Sequence, residues 1–263
     1  VKMKKRIILA AMAVGCVVGA RSADMTIAKL HELTENQHNV NLTIADGKVV
    51  FIDTRGDKPD VYVRDGGKAV VFSGTDIPFK LNATVRGTVC VDYELCNGSM
   101  PGVKANGRTD ASDLTITESD VAAQPVTATL AEVMDGKYKC DLVKISNVKV
   151  SSENAGDGAD GEPALDFYAA DGSGMARLYE VANAGGDVAG GNVYDFTAVY
   201  SNQYVKYLEL LPVAVSDVST GIGSVAADGE ADADAPVYNL SGQRVSRDAK
   251  GIVIQSGKKT IRR

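Results

Sequence analysis

Short apolar runs alternate along most of the chain with clusters of Gly, Asn and Asp. The runs are rich in Val, Ile, Thr and Tyr, which favour pleated strands. Few stretches have the length and period of a helix; one short exception contains Ile27, Leu30 and Leu33, with Thr26 as its N-cap. The pattern predicts an all-β protein. Strands are expected at 40–52, 61–63, 69–72, 81–91, 114–117, 142–150, 193–200 and 204–211.

Four phrases recur in the same order about one hundred residues apart, which indicates an internal repeat. Their spacing drifts, as expected when loop lengths differ between two copies of one fold. We therefore predict two modules, at 24–122 and 123–219. The matching segments are 26–30 with 129–133, 44–49 with 145–150, 62–66 with 168–172, and 119–121 with 216–218.

Each module reads as a short helix, a long strand, a strand, an Asp-Gly turn and three further strands. Asp65-Gly66 and Asp171-Gly172 lie between β-prone runs, which favours type I′ hairpins. Five strands in about 100 residues indicate a small, partly open barrel of the OB type. Segments 26–30 and 167–174 resemble the OB-like modules of secreted Bacteroidota proteins, and β-sandwich modules are the alternative.

The first 23 residues are predicted to be a secretory signal peptide. Lys4, Lys5 and Arg6 precede an uncharged stretch at 7–20, and small residues follow. That stretch is too short to span a bilayer, and no other segment reaches spanning length, so the mature protein is expected to have no transmembrane span. Cleavage is expected between Arg21 and Asp24; a lipobox-like segment ending at Cys16 leaves a lipoprotein as the alternative.

The C-terminal part reads as a linker followed by a small β meander. Residues 220–235 are small and acidic and cannot form a core. Residues 236–263 contain three short β-prone runs and resemble the sorting domain of the type IX secretion system. That resemblance implies the secretion machinery as a partner and a secreted or outer-membrane-surface location. The residues that carry it are Tyr238, Gly242, Arg244, Gly251, Arg262 and Arg263.

Charge is distributed unevenly along the chain. Of 28 basic residues, five lie in 1–23 with no acidic residue, and seven lie in 244–263 with one. The stretch between them keeps 16 basic against 33 acidic residues. A body this acidic is poorly suited to a polyanion, so nucleic acid is not expected as a partner.

Aromatic residues supply the only candidates for ligand contact. Tyr200, Tyr204 and Tyr207 cluster near the end of the second module, and aromatic rings can stack on sugars or bases. Residues 201–203 look like a turn, which would place Tyr200 and Tyr204 opposite each other across a hairpin. Packing in the core or across strands is the alternative for all three.

Other chemistry is sparse. Asp157, Asp160 and Glu162 lie between glycines and offer hard oxygen ligands of the kind that calcium prefers, although the EF-hand spacing is absent and a flexible acidic loop is the alternative. Cys90 and Cys96 are a disulfide candidate only if the chain turns near Asp92, because a straight strand would hold them about 20 Å apart. The two histidines, which are His31 and His38, have no zinc-site spacing.

These observations favour a binding protein over an enzyme. The sequence has no nucleophile elbow and no phosphate-binding loop, and no motif selects a pair of carboxylates. We expect no cofactor and no catalytic residues. The interpretation is a secreted or surface-attached, non-catalytic β protein that binds a glycan or a protein; the alternatives are an OB-fold nucleic-acid binder and a secreted hydrolase.

Overall fold

A computed structural model gives the fold. It describes residues 24–96, 99–157, 163–179, 188–203, 208–218, 236–239, 243–246, 248–255 and 258–262. The chain divides into two compact units, one up to Ser216 and one from Asp217. The architecture is all-β, with two closed five-stranded barrels in the first unit and a small sheet in the second, which confirms the predicted fold class.

The first barrel closes through strands β2, β3, β4, β6 and β5, in that spatial order, with β5 paired back onto β2. All of these pairs are antiparallel except β4 with β6, which is parallel. This is the OB strand order. The elements are β1 Asp24–Thr26, α1 Ile27–Leu30, β2 Gln37–Asp53, β3 Asp60–Asp65, β4 Lys68–Phe72, β5 Thr84–Cys96, β6 Met100–Lys104, a 3₁₀ turn Ala111–Asp113 and β7 Leu114–Thr117.

The second barrel has the same strand order as the first. Strands β9, β10, β11, β13 and β12 close on themselves, and β11 and β13 form the parallel pair. Each barrel is preceded by a short helix with a threonine N-cap, which is Thr26 for α1 and Thr129 for α2. The elements are β8 Val126–Thr127, α2 Leu130–Met134, β9 Leu142–Asp157, β10 Pro163–Ala170, β11 Met175–Leu178, β12 Val193–Gln203 and β13 Leu208–Asp217.

The second unit contains an antiparallel sheet in the order β15-β14-β16-β17. Four strands are described here, one more than the sequence predicts, because the first expected strand folds back on itself. The Asn239 amide donates to the Gln243 carbonyl, and the Gln243 amide donates to the Asn239 side chain, each at 2.9 Å. The strands are β14 Val237–Asn239, β15 Arg244–Val245, β16 Gly251–Gln255 and β17 Lys258–Arg262.

Alternation along the strands builds the interior of the first barrel. Val40, Leu42 and Ile44 on β2 point inward and are at most 4% exposed. The hairpin that joins β3 to β4 has Gly66 and Gly67 as its central residues, with φ of +59° and +76°, as a type I′ turn requires. The turn therefore lies one residue later than predicted, because Asp65 still pairs with Lys68.

Two hydrophobic clusters fill the barrels, and the cluster of the second barrel extends onto the first barrel. Tyr62, Ala69 and Val71 alternate with the residues that fill the first barrel, so they lie on the outer surface of β3 and β4. They are nevertheless at most 3% exposed and belong to the cluster that fills the second barrel. The second barrel therefore covers the outer surface of β3 and β4. Among the described residues, no helix is long and apolar enough to cross a bilayer.

Candidate ligand-binding face

OB barrels bind oligonucleotides and oligosaccharides on the outer face of their second and third strands. In the first barrel those strands are β3 and β4, whose outer face is buried against the second barrel. In the second barrel they are β10 and β11. There Met175 and Tyr179 are 56% and 37% exposed. The second barrel therefore offers the open version of this face.

Strand alternation determines which side chains the open face carries. Phe167 pairs with Leu178; Leu178 belongs to the core cluster of the second barrel, and Phe167 packs against that cluster. Their neighbours Tyr168 and Arg177 pair with each other and so point outward. Tyr179 follows two residues after Arg177 and lies on the same side, anchored by a 2.9 Å hydrogen bond from its amide to the Leu210 carbonyl.

Arg177 is held by two carboxylates. Its Nη1 donates to Glu209 Oε1 at 2.6 Å and its Nη2 donates to Asp166 Oδ1 at 2.8 Å. Hydrogen bonding to Asp166, together with that to Glu209, raises the pKa of Arg177. Glu209 is only 3% exposed, and its other oxygen accepts from Asn202 Nδ2 at 2.8 Å. The guanidinium is therefore fixed in position.

A second arginine reaches the same face from the first barrel. Arg55 follows β2 and makes a bidentate pair with Asp53, through Nε to Oδ1 at 2.8 Å and Nη2 to Oδ2 at 2.6 Å. Those hydrogen bonds from Arg55 lower the pKa of Asp53. The Arg55 guanidinium carbon lies 5.1 Å from the Tyr179 ring centre, and that of Arg177 lies 5.8 Å from it. Both distances are within the range of cation–π attraction.

We call this group the Tyr179 face. A groove of about 180 Å³ adjoins it, between the end of β2 and the middle of β13. One wall is Phe51 to Arg55 and the other is Leu211, Pro212 and Val213. The face itself consists of Asp53, Arg55, Asp166, Arg177, Tyr179 and Glu209.

Both positive charges of the Tyr179 face are paired with carboxylates. Its two guanidiniums are matched by three carboxylates, each within 2.8 Å of one of them. Such a surface has no surplus of positive charge to offer a phosphate backbone. It has many hydrogen-bonding groups fixed in position around a partly exposed ring, which suits a neutral polar ligand.

Of the tyrosines that the sequence selects, the structure places Tyr200 in the core, where it is 0% exposed. Strand β12 continues through residues 201–203, so the predicted turn is not there. Tyr200 therefore presents no ring to a ligand, and its hydroxyl has no hydrogen-bond partner within the part of the chain that is described. Tyr204 and Tyr207 lie outside the described residues.

Of the three calcium candidates, only Asp157 lies within the described residues. Asp157 is the last residue of β9, and Asp160 and Glu162 lie outside the described residues. Within the described ranges, no group of three or more His, Cys, Asp or Glu side chains is arranged to hold a metal ion.

The cysteine pair is not formed. Strand β5 runs from Thr84 to Cys96 without turning at Asp92, so the condition for a disulfide is not met. Cys90 and Cys96 are both free thiols, as is the buried Cys140. Cys96 instead packs against the hydrophobic cluster that fills the second barrel.

The predicted sorting residues are distributed over the small C-terminal sheet. Tyr238 is on β14 and 38% exposed, Arg244 begins β15, and Gly251 begins β16. Arg262 ends β17, while Gly242 and Arg263 lie outside the described residues.

Sequence reasoning missed the residues of the Tyr179 face. Arg177 and Tyr179 have the spacing of two residues that places side chains on one side of a strand, and they follow the predicted hairpin at Asp171. That signal was available. Arg55 was not predictable, because only the packing of one barrel on the other brings it to Tyr179.

No known family matches the chain, and neither does any curated protein. Solved structures that are similar to it include the following three. The HINa domain of Ifi202, in complex with a 20 bp duplex DNA, matches 67% of this chain and 93% of its own, at 11% identity and a TM-score of 0.33. A replication protein A heterotrimer bound to single-stranded DNA matches 76% of this chain and 70% of its own, at 10% identity and a TM-score of 0.23. A structure described as "Structural mimicry for functional antagonism" matches 67% of this chain and 92% of its own, at 10% identity and a TM-score of 0.32. Scores this low carry no argument about a ligand.

Proposed function

We propose that this chain is a non-catalytic, surface-displayed binding protein that recognises a neutral glycan at the Tyr179 face. The observation that supports a neutral ligand is the pairing of both arginines with carboxylates. A polyanion would have to compete with those carboxylates. Sugar hydroxyls both donate and accept, so they can hydrogen-bond to paired Arg and Asp groups without separating them.

The Tyr179 ring supplies the apolar part of the site. It remains 37% exposed although two guanidiniums lie near it. The C–H face of a sugar ring can pack on such an aromatic surface, and the adjoining groove extends the contact along Leu211 and Val213. A linear oligosaccharide fits this arrangement better than a single sugar.

A glycan array with residues 24–263 tests the proposal, followed by calorimetry with any oligosaccharide that binds. Tyr179→Ala is expected to weaken binding about tenfold, which corresponds to about 1.4 kcal/mol. Tyr238→Ala is the matched control, because Tyr238 is 38% exposed but lies in the other unit. Equal loss in both variants would remove the Tyr179 face from the proposal.

A parallel titration with single-stranded DNA addresses the nucleic-acid alternative. Binding that falls steeply between about 50 and 200 mM salt would show counterion release and favour that alternative. We expect no such binding.

Surface display, with export through the C-terminal tail, belongs to the same proposal and is supported by the sequence of residues 236–263.

A further inference from the structure

A second cleft, separate from the Tyr179 face, lies where the first barrel meets the segment before β9. It has a volume of about 270 Å³. Leu33, Tyr93 and Leu95 supply apolar walls, and His31, Ser99 and Lys139 supply polar groups. Lys139 is the one lining residue from the second barrel, so the cleft exists only when the barrels are packed together.

The charge in this cleft is opposite to that of the protein as a whole. Among the described residues that line it, Lys139 is the only charged one, and none is a carboxylate. His31, at its edge, has its pKa lowered by burial and also by the charges of Lys68 and Lys139. A cationic recess in an acidic body attracts small anions to one place.

Lys139 is positioned to receive a ligand. Its Nζ donates to the carbonyl and the hydroxyl of Ser99, at 3.0 and 2.8 Å, which leaves one of its three N–H groups for another acceptor. In the described part of the chain it has no ion-pair partner. Burial lowers the pKa of Lys139, so the ammonium ion is short of both water and counter-charge.

We infer that this cleft binds a small organic monocarboxylate, with its carboxylate on Lys139 and its apolar body against Leu33 and Leu95. A carboxylate would supply the counter-charge that the protein does not. The volume of about 270 Å³ admits a body about the size of one six-membered ring. The inference does not depend on the Tyr179 face or on glycan binding.

The test uses residues 24–263 and benzoate as the probe, followed by NMR of the two histidine rings. Benzoate is expected to bind with a Kd on the order of 1 mM and to shift the His31 ring signals in a saturable way. His38 is the internal control, because its side chain is 80% exposed, pairs with Asp92 and does not line the cleft. Benzyl alcohol, which has the same ring without the charge, is expected to leave both rings unshifted.

Variants of Lys139 then test whether its positive charge holds the carboxylate of benzoate. Lys139→Met is expected to weaken benzoate binding at least about tenfold, and Lys139→Arg to retain affinity within about threefold. Lys144→Met is the matched control, because Lys144 is an exposed lysine on β9 outside the cleft. A melting curve checks that each variant folds.

Four results would overturn the inference. They are the absence of a saturable His31 shift up to about 20 mM benzoate, equal shifts at His31 and His38, equal binding of benzyl alcohol, and unchanged affinity in a folded Lys139→Met variant. Because the NMR arm uses the unaltered chain, the inference remains testable even if Lys139→Met does not fold.

Discussion

Arg64 of the first barrel donates its Nε–H to Oδ1 of Asp141, in the second barrel, at 2.6 Å. The same guanidinium donates to the carbonyls of Gln124 and Leu142, at 2.9 and 3.1 Å. Asp141 is only 2% exposed. Asp141 also accepts from the Leu142 amide at 2.8 Å, but the ion-pair partner of this nearly fully buried charge comes from the other barrel.

Replacing Arg64 should destabilise the first unit strongly. Arg64→Met leaves Asp141 buried and unpaired, which is expected to lower the free energy of unfolding by about 3 kcal/mol. Arg86→Met is the control, because Arg86 pairs with Asp46 at the same 2.6 Å but both side chains are more than 60% exposed. That change is expected to cost less than about 1 kcal/mol. Urea unfolding measures both, and equal losses would contradict the argument.

The pH dependence of the Arg64→Met effect has a definite sign. Burial raises the pKa of Asp141, and Arg64 opposes that rise. Without Arg64 the folded protein holds the Asp141 proton more tightly, so the variant loses stability faster than the original as pH rises above about 4. The difference between the two proteins should therefore be small near pH 4 and full near pH 7. A difference independent of pH would mean that Arg64 acts by packing alone.

The capping of α2 provides a second test. Thr129 Oγ1 accepts from the Glu132 amide, and the Glu132 side chain accepts from the Thr129 amide, which completes a capping box. In α1 the third helical residue is Lys29, so Thr26 caps without that return bond. Thr129→Ala is expected to cost about 1 kcal/mol and Thr26→Ala less. Denaturant midpoints of the two variants measure the difference, and the reverse order would contradict the assignment.

The two caps also show how far the sequence determines the fold. Segments 26–30 and 129–133 match, and the matched threonines lie at equivalent positions in the two barrels. Local patterns define the strands of each barrel, and the repeat predicts that the two barrels share one strand order, as they do. The burial of both faces of β3 was harder to predict from the sequence. The continuous apolar run at 61–63 is typical of such a strand, but does not reveal what covers it.

Asp92 should contribute to the stability of the fold at neutral pH and lose that contribution in acid. Its carboxylate accepts from the Asn39 amide at 2.9 Å, His38 Nδ1 at 2.8 Å and Asn106 Nδ2 at 2.6 Å. These hydrogen bonds, that from Asn39 first, lower the pKa of Asp92 to about 2 from 3.8. The lowered pKa stabilises the fold above pH 3.8, and that contribution is lost as pH falls toward 2. Asp92→Asn should therefore be less stable than the original at pH 6 by about 1 kcal/mol, with a gap that narrows in acid.

The control for Asp92 is Asp120→Asn, an exposed carboxylate on a loop. It should leave the stability curve unchanged at every pH. Urea midpoints of the three proteins, measured from pH 6 down to the onset of acid unfolding, give the comparison. A stability difference between Asp92→Asn and the original that stays constant with pH would show that these hydrogen bonds do not require the charge of Asp92.

Thiol labelling can check the cysteine assignments. Burial raises the pKa of Cys96 to about 12, and burial raises that of Cys140, which is 0% exposed. Because the thiolate is the reactive form, both should react with iodoacetamide at pH 8 at least about tenfold more slowly in the folded protein than in denaturant. Peptide mass analysis after labelling identifies each site. A peptide linking Cys90 to Cys96 would contradict the continuous β5.

The candidate site was less predictable than the fold. Arg55 and Tyr179 lie 5.1 Å apart as guanidinium carbon and ring centre, yet they come from different barrels. A strand pattern assigns each residue to a face of its own sheet, but not to a neighbour in another barrel. For the same reason Tyr200, in an aromatic-rich segment, was a candidate although its strand places it inside.

Removing the C-terminal tail should separate folding from export. The second compact unit begins at Asp217. Among the described residues, no member of the hydrophobic clusters of the two barrels lies beyond Val215 in sequence. Deleting residues 236–263 should therefore leave a cooperative melting transition within about 3 °C of that of the full chain.

In a host with a type IX secretion system, the same truncation should abolish protease-accessible protein at the cell surface. A double variant, Tyr238→Ala with Arg244→Ala, keeps the chain length and tests the sorting residues themselves. Surface protein at the original level in either variant would refute the sorting role, and a lost melting transition would show that the tail is part of the barrel fold.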